Sequence, residues 1–185
     1  MRLVPVLLIS AALALTGCAS DKRFGAPTPV PQERVSISYR TVEVVQATLP
    51  AYASAEEITV READGAIAPL GPLWADDPSR ALTLQLARDL GAITGAVTAP
   101  APWPFRSLPD ARVDVRVEDF LATEDGVFLL SGQYFVAPET GGRDRARRFA
   151  FTVPLADPAT PGGIVAARGS AVSRLALDIA QNALR

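Results

Sequence analysis

The sequence has no histidine, one cysteine and one methionine in 185 residues. Because hydroxyl and thiol nucleophiles usually need a histidine base, the lack of histidine excludes a Ser-His-Asp set and leaves the single thiol without its usual activator. A lone cysteine cannot close an intrachain disulfide, and a chain without histidine is poorly suited to a transition-metal site. We therefore expect no catalytic residues, no metal and no cofactor.

Two pairs of adjacent carboxylates, Asp76-Asp77 and Glu56-Glu57, are the remaining candidates for acid–base chemistry. Asp77 is better explained as the cap of a helix, and Glu56-Glu57 lies in a polar turn. We interpret both pairs as structural rather than catalytic. The expectation is therefore a protein that is not an enzyme.

Lysine is nearly absent too, since Lys22 is the only lysine among 18 basic residues. Together with abundant alanine, valine and proline, this preference for arginine is typical of a GC-rich genome. The 20 acidic residues give the chain a formal net charge of −2, whereas nucleic-acid-binding domains carry a basic surplus. We therefore expect no nucleic-acid partner.

Long apolar runs are confined to the beginning of the chain. The basic head Met1-Arg2 precedes an almost wholly apolar run at 3–15. A helix of that length covers about 20 Å, which is short of the ~30 Å hydrocarbon core of a bilayer. The pattern therefore indicates a signal peptide rather than a retained membrane span.

The apolar run ends in Leu15, Thr16, Gly17 and Cys18, which is the order of the lipobox of bacterial lipoproteins. In a lipobox, an aliphatic residue and two small residues precede an obligatory cysteine, whose sulfur becomes a thioether that carries diacylglycerol. Cleavage before Cys18 then leaves an N-terminus bearing acyl chains such as palmitate. The alternative is an ordinary signal peptide with a coincidental cysteine.

Two or three acyl chains on Cys18 would hold the protein on a membrane permanently, because each buried CH₂ contributes about 0.8 kcal/mol. The next residue is Ala19 rather than the aspartate that retains many lipoproteins in the inner membrane, and Asp21 comes too late to replace it. We therefore expect a lipid-anchored protein of the outer membrane of a Gram-negative bacterium, facing the periplasm.

Three regions are predicted along the chain: a signal peptide at 1–17, the acylated cysteine with a proline-rich tether at 18–33, and one folded domain at 34–185. Prolines occupy alternate positions at Pro27, Pro29 and Pro31. Alternating prolines favour an extended chain of ~3 Å per residue, so the tether would reach about 40 Å.

Alternation of apolar and polar residues predicts the strands. The predicted strands are 35–39, 42–44, 58–61, 66–70, 112–118, 127–136 and 147–155. Turn signals such as Asp64-Gly65 separate successive strands, and the last three strands are expected to form an antiparallel meander. Residues 99–110 contain four prolines and are expected to form a loop.

Two helices are predicted. Asp77 as N-cap, Pro78 at the first helical position and Gly91 as C-cap delimit a helix over 78–90. A long apolar stripe predicts the second helix over 164–184. The members of that stripe are Ile164, Val165, Val172, Leu175, Ile179 and Ala183. Several strands with two amphipathic helices indicate an α/β or α+β domain with a mixed sheet covered by helices.

Four stretches of the chain carry a further pattern: an LP-x-Y turn, a strand ending in arginine, Trp-Ala before the first helix, and V-x-V-x-V-x-x-F. They are TLPAYASAEEITVR at 48–61, GPLWADDPSRALTLQLARDLG at 71–91, ARVDVRVEDF at 111–120 and the terminal helix rich in Ala, Arg and Leu. In these features and in its lipobox, the chain resembles the ABC-type transport auxiliary lipoproteins, the family of paraquat-inducible protein C. The resemblance covers nearly all of the chain after residue 17.

The resemblance implies a three-layer, sandwich-like α/β fold of the anticodon-binding-domain type, with a mixed sheet, two main helices and no catalytic site. It also implies an outer-membrane lipoprotein that works with an ABC transporter permease and ATPase and with a periplasmic mammalian-cell-entry (MCE) domain protein. Such systems transport lipids and support envelope integrity. A homo-oligomer matching the ring of an MCE protein is left open.

Three function classes follow from this reading, of which a lipoprotein hydrolase is disfavoured by the lack of histidine. The first is a non-catalytic module that tethers or docks the periplasmic conduit of an ABC/MCE-type lipid transport system to the outer membrane. The alternative is an envelope assembly or structural lipoprotein that acts without a transporter.

Trp103 and Phe105 form the first candidate partner-binding feature, within the stretch Trp103-Pro104-Phe105 of the proline-rich loop. Large apolar side chains in a loop are suited to anchor a neighbouring subunit. The alternative is a loop that folds onto the core of its own domain.

Four arginines crowded on one hairpin form the second candidate feature: Arg143, Arg145, Arg147 and Arg148. Between residues 143 and 148, only Asp144 opposes them. They are interpreted as docking to anionic lipid headgroups or to an acidic face of a partner. The alternative is a solvated loop without a binding role.

Overall fold

The computed structural model describes residues 22–27, 30–157 and 160–185. Within these residues the chain forms eight strands, a short 3₁₀ helix and two α-helices. The strands are β1 (Arg23–Phe24), β2 (Thr41–Val44), β3 (Glu57–Arg61), β4 (Ile67–Trp74), β5 (Val97–Pro100), β6 (Ala111–Thr123), β7 (Val127–Pro138) and β8 (Arg145–Pro154), and the helices are α1 (Pro78–Thr94) and α2 (Pro161–Asn182). The predicted signal peptide and Cys18 lie outside the described residues.

All eight strands join one mixed sheet, in which β6 is the central strand. β7 pairs with one edge of β6 along nearly its whole length. The other edge of β6 pairs with two short parallel strands, β2 beside its first residues and β3 beside its last. β5 continues the sheet beyond β2, while β4 and then β1 continue it beyond β3. The mixed sheet expected from the sequence is therefore confirmed.

β6, β7 and β8 form the antiparallel meander that the sequence predicted. Apolar and polar residues alternate along β6, so Val113 is fully buried while Arg116 is exposed. A bulge between Val117 and Asp119 shifts the register opposite Gly132. Glycine is needed at that position because a Cβ on Gly132 would collide with the carbonyl oxygen of Arg116.

The two helices pack against each other over one face of the sheet, α1 beside β2 and β5 and α2 beside β7 and β8. Their apolar stripes and the inward side chains of the strands form one core. The opposite face of the meander, which we call the outer face, carries the polar residues of β6. This arrangement of a mixed sheet and two main helices confirms the predicted α/β class, and neither helix is long and apolar enough to cross a bilayer.

α1 begins where the sequence predicted but ends later. The Asp77 side chain accepts a hydrogen bond from the N–H of Arg80 at 2.7 Å, as expected of an N-cap. The sequence predicts Gly91 as the C-cap, but the helix continues to Thr94 and its C-cap is Gly95, whose φ is 73°. Gly91 permits a close approach instead, because a Cβ there would lie 2.7 Å from Oγ1 of Thr98.

One strand assignment and part of one loop assignment were wrong. Residues 35–39 form no strand, and the N–H of Ser38 donates to the carbonyl oxygen of Leu184, so this segment follows the end of α2 instead of a neighbouring strand. Residues 97–100 form β5, although part of this stretch was assigned to a loop. Pro100 is tolerated there because β5 is an edge strand, where a missing N–H costs little.

The described part of the predicted tether lies against the domain. β1 pairs in parallel with the last residues of β4, and the side chains of Phe24 and Ala26 pack against the core. Further along, Val35 is itself a core residue. Contact with the folded domain therefore already begins at Lys22 and Arg23, whereas composition had placed the boundary near residue 34.

Candidate partner-binding surface

The predicted site residues fall into two groups. Cys18 and the lipobox residues Leu15, Thr16 and Gly17 lie outside the described part of the chain and remain predictions. The other six lie on two segments. We name them the aromatic loop (residues 101–110, with Trp103 and Phe105) and the arginine hairpin (residues 139–148), in which Arg143 lies on the β7–β8 connection and Arg145, Arg147 and Arg148 lie at the start of β8. The N–H of Glu139 donates to the carbonyl oxygen of Asp110 at 2.9 Å, so both segments lie at the end of the sheet where β6 begins.

Topology carries the aromatic loop across the outer face of the sheet. β5 and β6 flank β2 and all three strands are parallel, so the loop that joins β5 to β6 has to cross β2. The preceding crossover runs from β2 to β5 by way of α1, which lies on the helix-covered face. The return from β5 to β6 runs in the opposite direction across the sheet. Because crossovers between parallel strands are right-handed, this return passes over the outer face. Glu43, on the outward side of β2, is accordingly only 6% exposed.

Hydrogen bonds fix both ends of the aromatic loop to β2. The N–H of Ala101 donates to the carbonyl oxygen of Val44 at 2.8 Å. At the other end, Oδ2 of Asp110 accepts from the N–H groups of Arg40 and Thr41 at 2.8 and 2.9 Å. The bond from the Arg40 N–H is the main reason that the pKa of Asp110 lies below its usual value, against an opposing effect of desolvation. The charged carboxylate thus holds the loop in place at neutral pH.

The tip of the aromatic loop presents apolar side chains to solvent. The rings of Trp103 and Phe105 meet edge to face with their centroids 5.0 Å apart, and Nε1 of Trp103 donates to the carbonyl oxygen of Ser107 at 2.7 Å. Phe105 is 53% exposed and Leu108 is 67% exposed, and neither belongs to the core of the described chain. The loop is therefore braced internally rather than folded onto the core.

All four arginines of the arginine hairpin are exposed. Nη2 of Arg148 lies 2.9 Å from Oε1 of Glu118 on β6, and Nη2 of Arg145 donates to the carbonyl oxygen of the C-terminal residue at 3.3 Å. The other two arginines have no ion-pair partner among residues 22–27, 30–157 and 160–185. The hairpin therefore keeps a positive charge that the described domain does not neutralise.

Ion pairs cover the outer face, and the sequence did not predict them. Nε of Arg112 lies 2.8 Å from a carboxylate oxygen of Glu43 and 2.8 Å from one of Glu139. The guanidinium carbon of Arg116 lies 4.9 Å from the centroid of the Phe135 ring on β7. Alternation along β6 indicates which residues share a face, but the pairs depend on the register between strands. The outer face is thus a polar surface with the aromatic loop and the arginine hairpin at one end.

Both pairs of adjacent carboxylates have structural partners. Asp76 pairs with Arg80 in the first turn of α1, next to the capping aspartate. Oε2 of Glu56 lies 2.7 Å from Nη2 of Arg23, and Glu57 is the first residue of β3. In the part of the chain that the structure describes, no group of three or more acidic or sulfur side chains could hold a metal. Asp76, Asp77 and Glu56 therefore each bond to a neighbouring secondary-structure element.

Two solved structures share the fold at low sequence identity. An uncharacterized protein has 19% identity and a TM-score of 0.71, over 88% of this chain and 97% of that chain. Protein XCC0632 from Xanthomonas campestris, of the DUF330 family, has 15% identity and a TM-score of 0.67, over 85% of this chain and 92% of that chain. At such identities the likeness shows the fold alone. No curated protein matches the chain.

The family model described as ABC-type transport auxiliary lipoprotein component matches residues 25–180. The match includes the 3₁₀ helix, β3, the end of β4, α1 and β6, on which the motifs at 48–61, 71–91 and 111–120 lie, as well as the meander and most of α2. The chain therefore belongs to the family of ABC-type transport auxiliary lipoprotein components, as its motifs predicted.

Proposed function

We propose that the chain is a non-catalytic lipoprotein of the Gram-negative outer membrane that faces the periplasm. It docks the periplasmic conduit of an ABC/MCE-type lipid transport system to that membrane and so supports envelope integrity. Family membership supports the transport context, and the lipobox supports anchoring through acyl chains on Cys18. The observation that carries the docking role is the exposed, internally braced tip of the aromatic loop.

An apolar tip of fixed shape is suited to bind a protein partner. Side chains that are already ordered lose little conformational entropy on binding, and a few aromatic side chains in pockets supply most of the energy of a typical interface. Trp103 and Phe105 already pack against each other, while Phe105 and Leu108 leave most of their surface open to a partner. The polar outer face around the tip would form the rim of the interface.

The mechanism is positional. Acyl chains fix the protein in the membrane, the folded domain holds the aromatic loop at one end of the sheet, and the tip enters a pocket on the MCE-domain protein. The permease and the ATPase of the transporter supply transport and ATP hydrolysis. No step in this role needs a reactive group on the domain.

A site-specific crosslinking experiment tests the docking role. A photo-crosslinking amino acid replaces Phe105 in living cells, and the matched control replaces Val97 on the edge strand β5, which is 52% exposed against 53% for Phe105. We expect crosslinks to the MCE-domain protein from Phe105 and none from Val97. Equal crosslinking from both positions would contradict the assignment of the tip. Crosslinks to an outer-membrane assembly protein instead would favour the alternative function, and crosslinks to a second copy would identify a homo-oligomer contact.

Removal of the anchor tests the positional mechanism. Cys18→Ala should give an unacylated domain that folds normally but no longer fractionates with the outer membrane and no longer supports envelope integrity. Membrane fractionation, circular dichroism and detergent sensitivity of the cells measure the three properties. Recovery of the variant in the outer membrane with intact envelope integrity would contradict the proposal.

A further inference from the structure

The chain is attached to the domain immediately after the predicted lipid-bearing residue. The N–H of Leu73 donates to the carbonyl oxygen of Lys22 at 3.0 Å, and the N–H of Ala75 donates to that of Phe24 at 2.9 Å. These backbone hydrogen bonds form the β1–β4 pair. Residues 22–24 are therefore hydrogen-bonded to the sheet and cannot act as a free spacer.

The segment stays in contact with the domain beyond β1. Pro27 lies directly over α2, where a Cβ on Gly169 would be 2.7 Å from the carbonyl oxygen of Pro27. Glycine at position 169 thus allows the segment to approach the helix backbone closely. The side chain of Ala26 packs against the core. The contacts on β4 and on α2 together hold this segment at two places.

A short covalent connection then limits the distance between the anchor and the domain. Cys18 and Lys22 are four residues apart, and an extended chain spans at most ~3.6 Å per residue. Whatever path residues 19–21 take, the Cα atoms of Cys18 and Lys22 are at most about 14 Å apart, compared with the reach of about 40 Å expected of a free tether. The acyl chains must therefore enter the membrane close to β1.

The neighbouring edge of the sheet has the chemistry of a membrane-facing surface. The first six residues of β4, Ile67–Pro72, carry no charge and no polar side chain, and Ile67 is 38% exposed. Pro69 and Pro72 lack an N–H, so this edge is a poor template for pairing with a strand of another protein. Since β1 runs parallel to β4, the chain that precedes Arg23 enters from the side on which this apolar edge lies.

We propose that the domain lies on the bilayer by the apolar edge of β4, residues Ile67–Pro72, with the lipid surface as the occupant of that edge. The inference rests on the proposed lipidation of Cys18. The long edge of β4, and not the tip of the β3–β4 hairpin, faces the lipid. The hairpin turn carries Glu62 and Asp64, whose charges are repelled by anionic headgroups.

This orientation decides between the two interpretations of the arginine hairpin. β8 lies at the opposite edge of the sheet, five strand spacings from β1, or about 24 Å at ~4.8 Å per strand. The Debye length at physiological ionic strength is about 8 Å. The arginines are thus too far from the membrane to pair with its headgroups, and they face the periplasm, where an acidic surface of a protein partner is the complementary ligand.

Labelling with a single fluorophore tests the orientation. The sulfur of Cys18 is consumed by the thioether, so an added cysteine is the only free thiol of the acylated chain. Pro69→Cys on the apolar edge and the matched control Arg147→Cys on β8 are each labelled with bimane in vesicles of phosphatidylethanolamine and phosphatidylglycerol. Lipids with a nitroxide on the headgroup should quench the Pro69→Cys label at least twofold and leave the Arg147→Cys label unchanged.

A longer connection provides the second arm of the test. Insertion of twelve Gly and Ser residues between Asp21 and Lys22 should reduce quenching at Pro69→Cys toward the level of the control. Equal quenching at both positions of the acylated parent, or stronger quenching at Arg147→Cys, would overturn the orientation. Mass spectrometry of the same sample separates the two proposals, because an unmodified Cys18 contradicts the proposed function, whereas equal quenching of an acylated chain contradicts only the orientation.

Discussion

The helix-covered face and the outer face of the sheet differ in the kind of interaction they use, although the same strands form both. On β7, Phe128 is fully buried in the core, edge to face with Phe120 at 5.4 Å between centroids. On the other side of the same strand, Phe135 lies partly exposed beneath the guanidinium of Arg116. One face buries apolar surface and supplies stability, while the other pairs charges and leaves them accessible.

The difference predicts which substitutions should affect folding and which should affect the proposed partner binding. Apolar burial contributes about 25 cal/mol per Å², whereas exposed ion pairs contribute at most about 1 kcal/mol. Selection for partner binding can therefore change the outer face and the aromatic loop at little cost in stability. Three experiments, each with a matched control substitution, would break or sharpen this comparison.

The largest effect is expected from a pair of substitutions on β7. Phe128→Ala removes a fully buried ring and should lower the free energy of unfolding by about 3–5 kcal/mol, because it leaves a cavity that the rigid sheet cannot fill. The matched control Phe135→Ala removes the same atoms from the outer face and should cost about 1 kcal/mol. Urea unfolding followed by circular dichroism measures both, and equal losses would refute the distinction between the faces.

An intermediate, pH-dependent effect is expected at Asp119 on the outer face. Ser131 Oγ donates to its Oδ2 at 2.7 Å and Arg61 Nη2 lies 2.7 Å from its Oδ1. The bond from Ser131, opposed by desolvation and aided by Arg61, keeps the pKa of Asp119 below its usual value. A lowered pKa in the folded state contributes stability above the unfolded pKa near 3.8, and this stability is lost as the pH falls below that value.

Asp119→Asn should therefore cost about 1 kcal/mol at pH 7 and less as the pH falls below about 4. Urea unfolding of the variant and the parent at pH 7, 4 and 3 measures the difference. Asp64→Asn, in the exposed turn between β3 and β4, serves as the control for a general loss of charge. A deficit of the Asp119 variant that stays constant with pH would contradict the assigned role of its carboxylate.

The smallest effect is expected from the exposed pair of Arg148 and Glu118. Their side chains are 73% and 51% exposed, so Arg148→Ala should change the free energy of unfolding by less than about 0.5 kcal/mol. Thermal unfolding at low and at high salt measures it, with Arg143→Ala as a control that breaks no ion pair. A loss of more than about 2 kcal/mol would show that the outer face carries stability after all.

Much of the fold could be predicted from local sequence. The N-cap at Asp77, the alternation along β6 and the stripe on α2 each specify an element within a few residues, and all three elements are present. The misassigned elements depend on distant residues. Gly91 is predicted to cap α1 because glycine commonly ends helices. In the structure, the close approach of the Thr98 side chain explains why this position is a glycine. β5 was missed because only its place at the edge of the sheet makes Pro100 acceptable.

The candidate site shows the same division. Composition identified the aromatic loop and the arginine hairpin as unusual, but it left open whether Trp103 and Phe105 fold onto the core. The half-buried position of Trp103 and the exposure of Phe105 follow from the passage of the loop over the outer face and from its attachment to β2 at both ends. The sequence did not predict ion pairs such as that of Arg112 with Glu43, because these residues are 69 positions apart and only the strand register brings them together.

By itself, the sequence determined the α/β class, the main helices and strands and the family, because family motifs, helix caps and hydrophobic periodicity are encoded in neighbouring residues. Only the tertiary structure decided that the segment from Lys22 joins the sheet, that the tip of the aromatic loop stays exposed, and that charges pair across the outer face. Those features depend on which distant segments come together, and that choice is made by the packing of the whole domain.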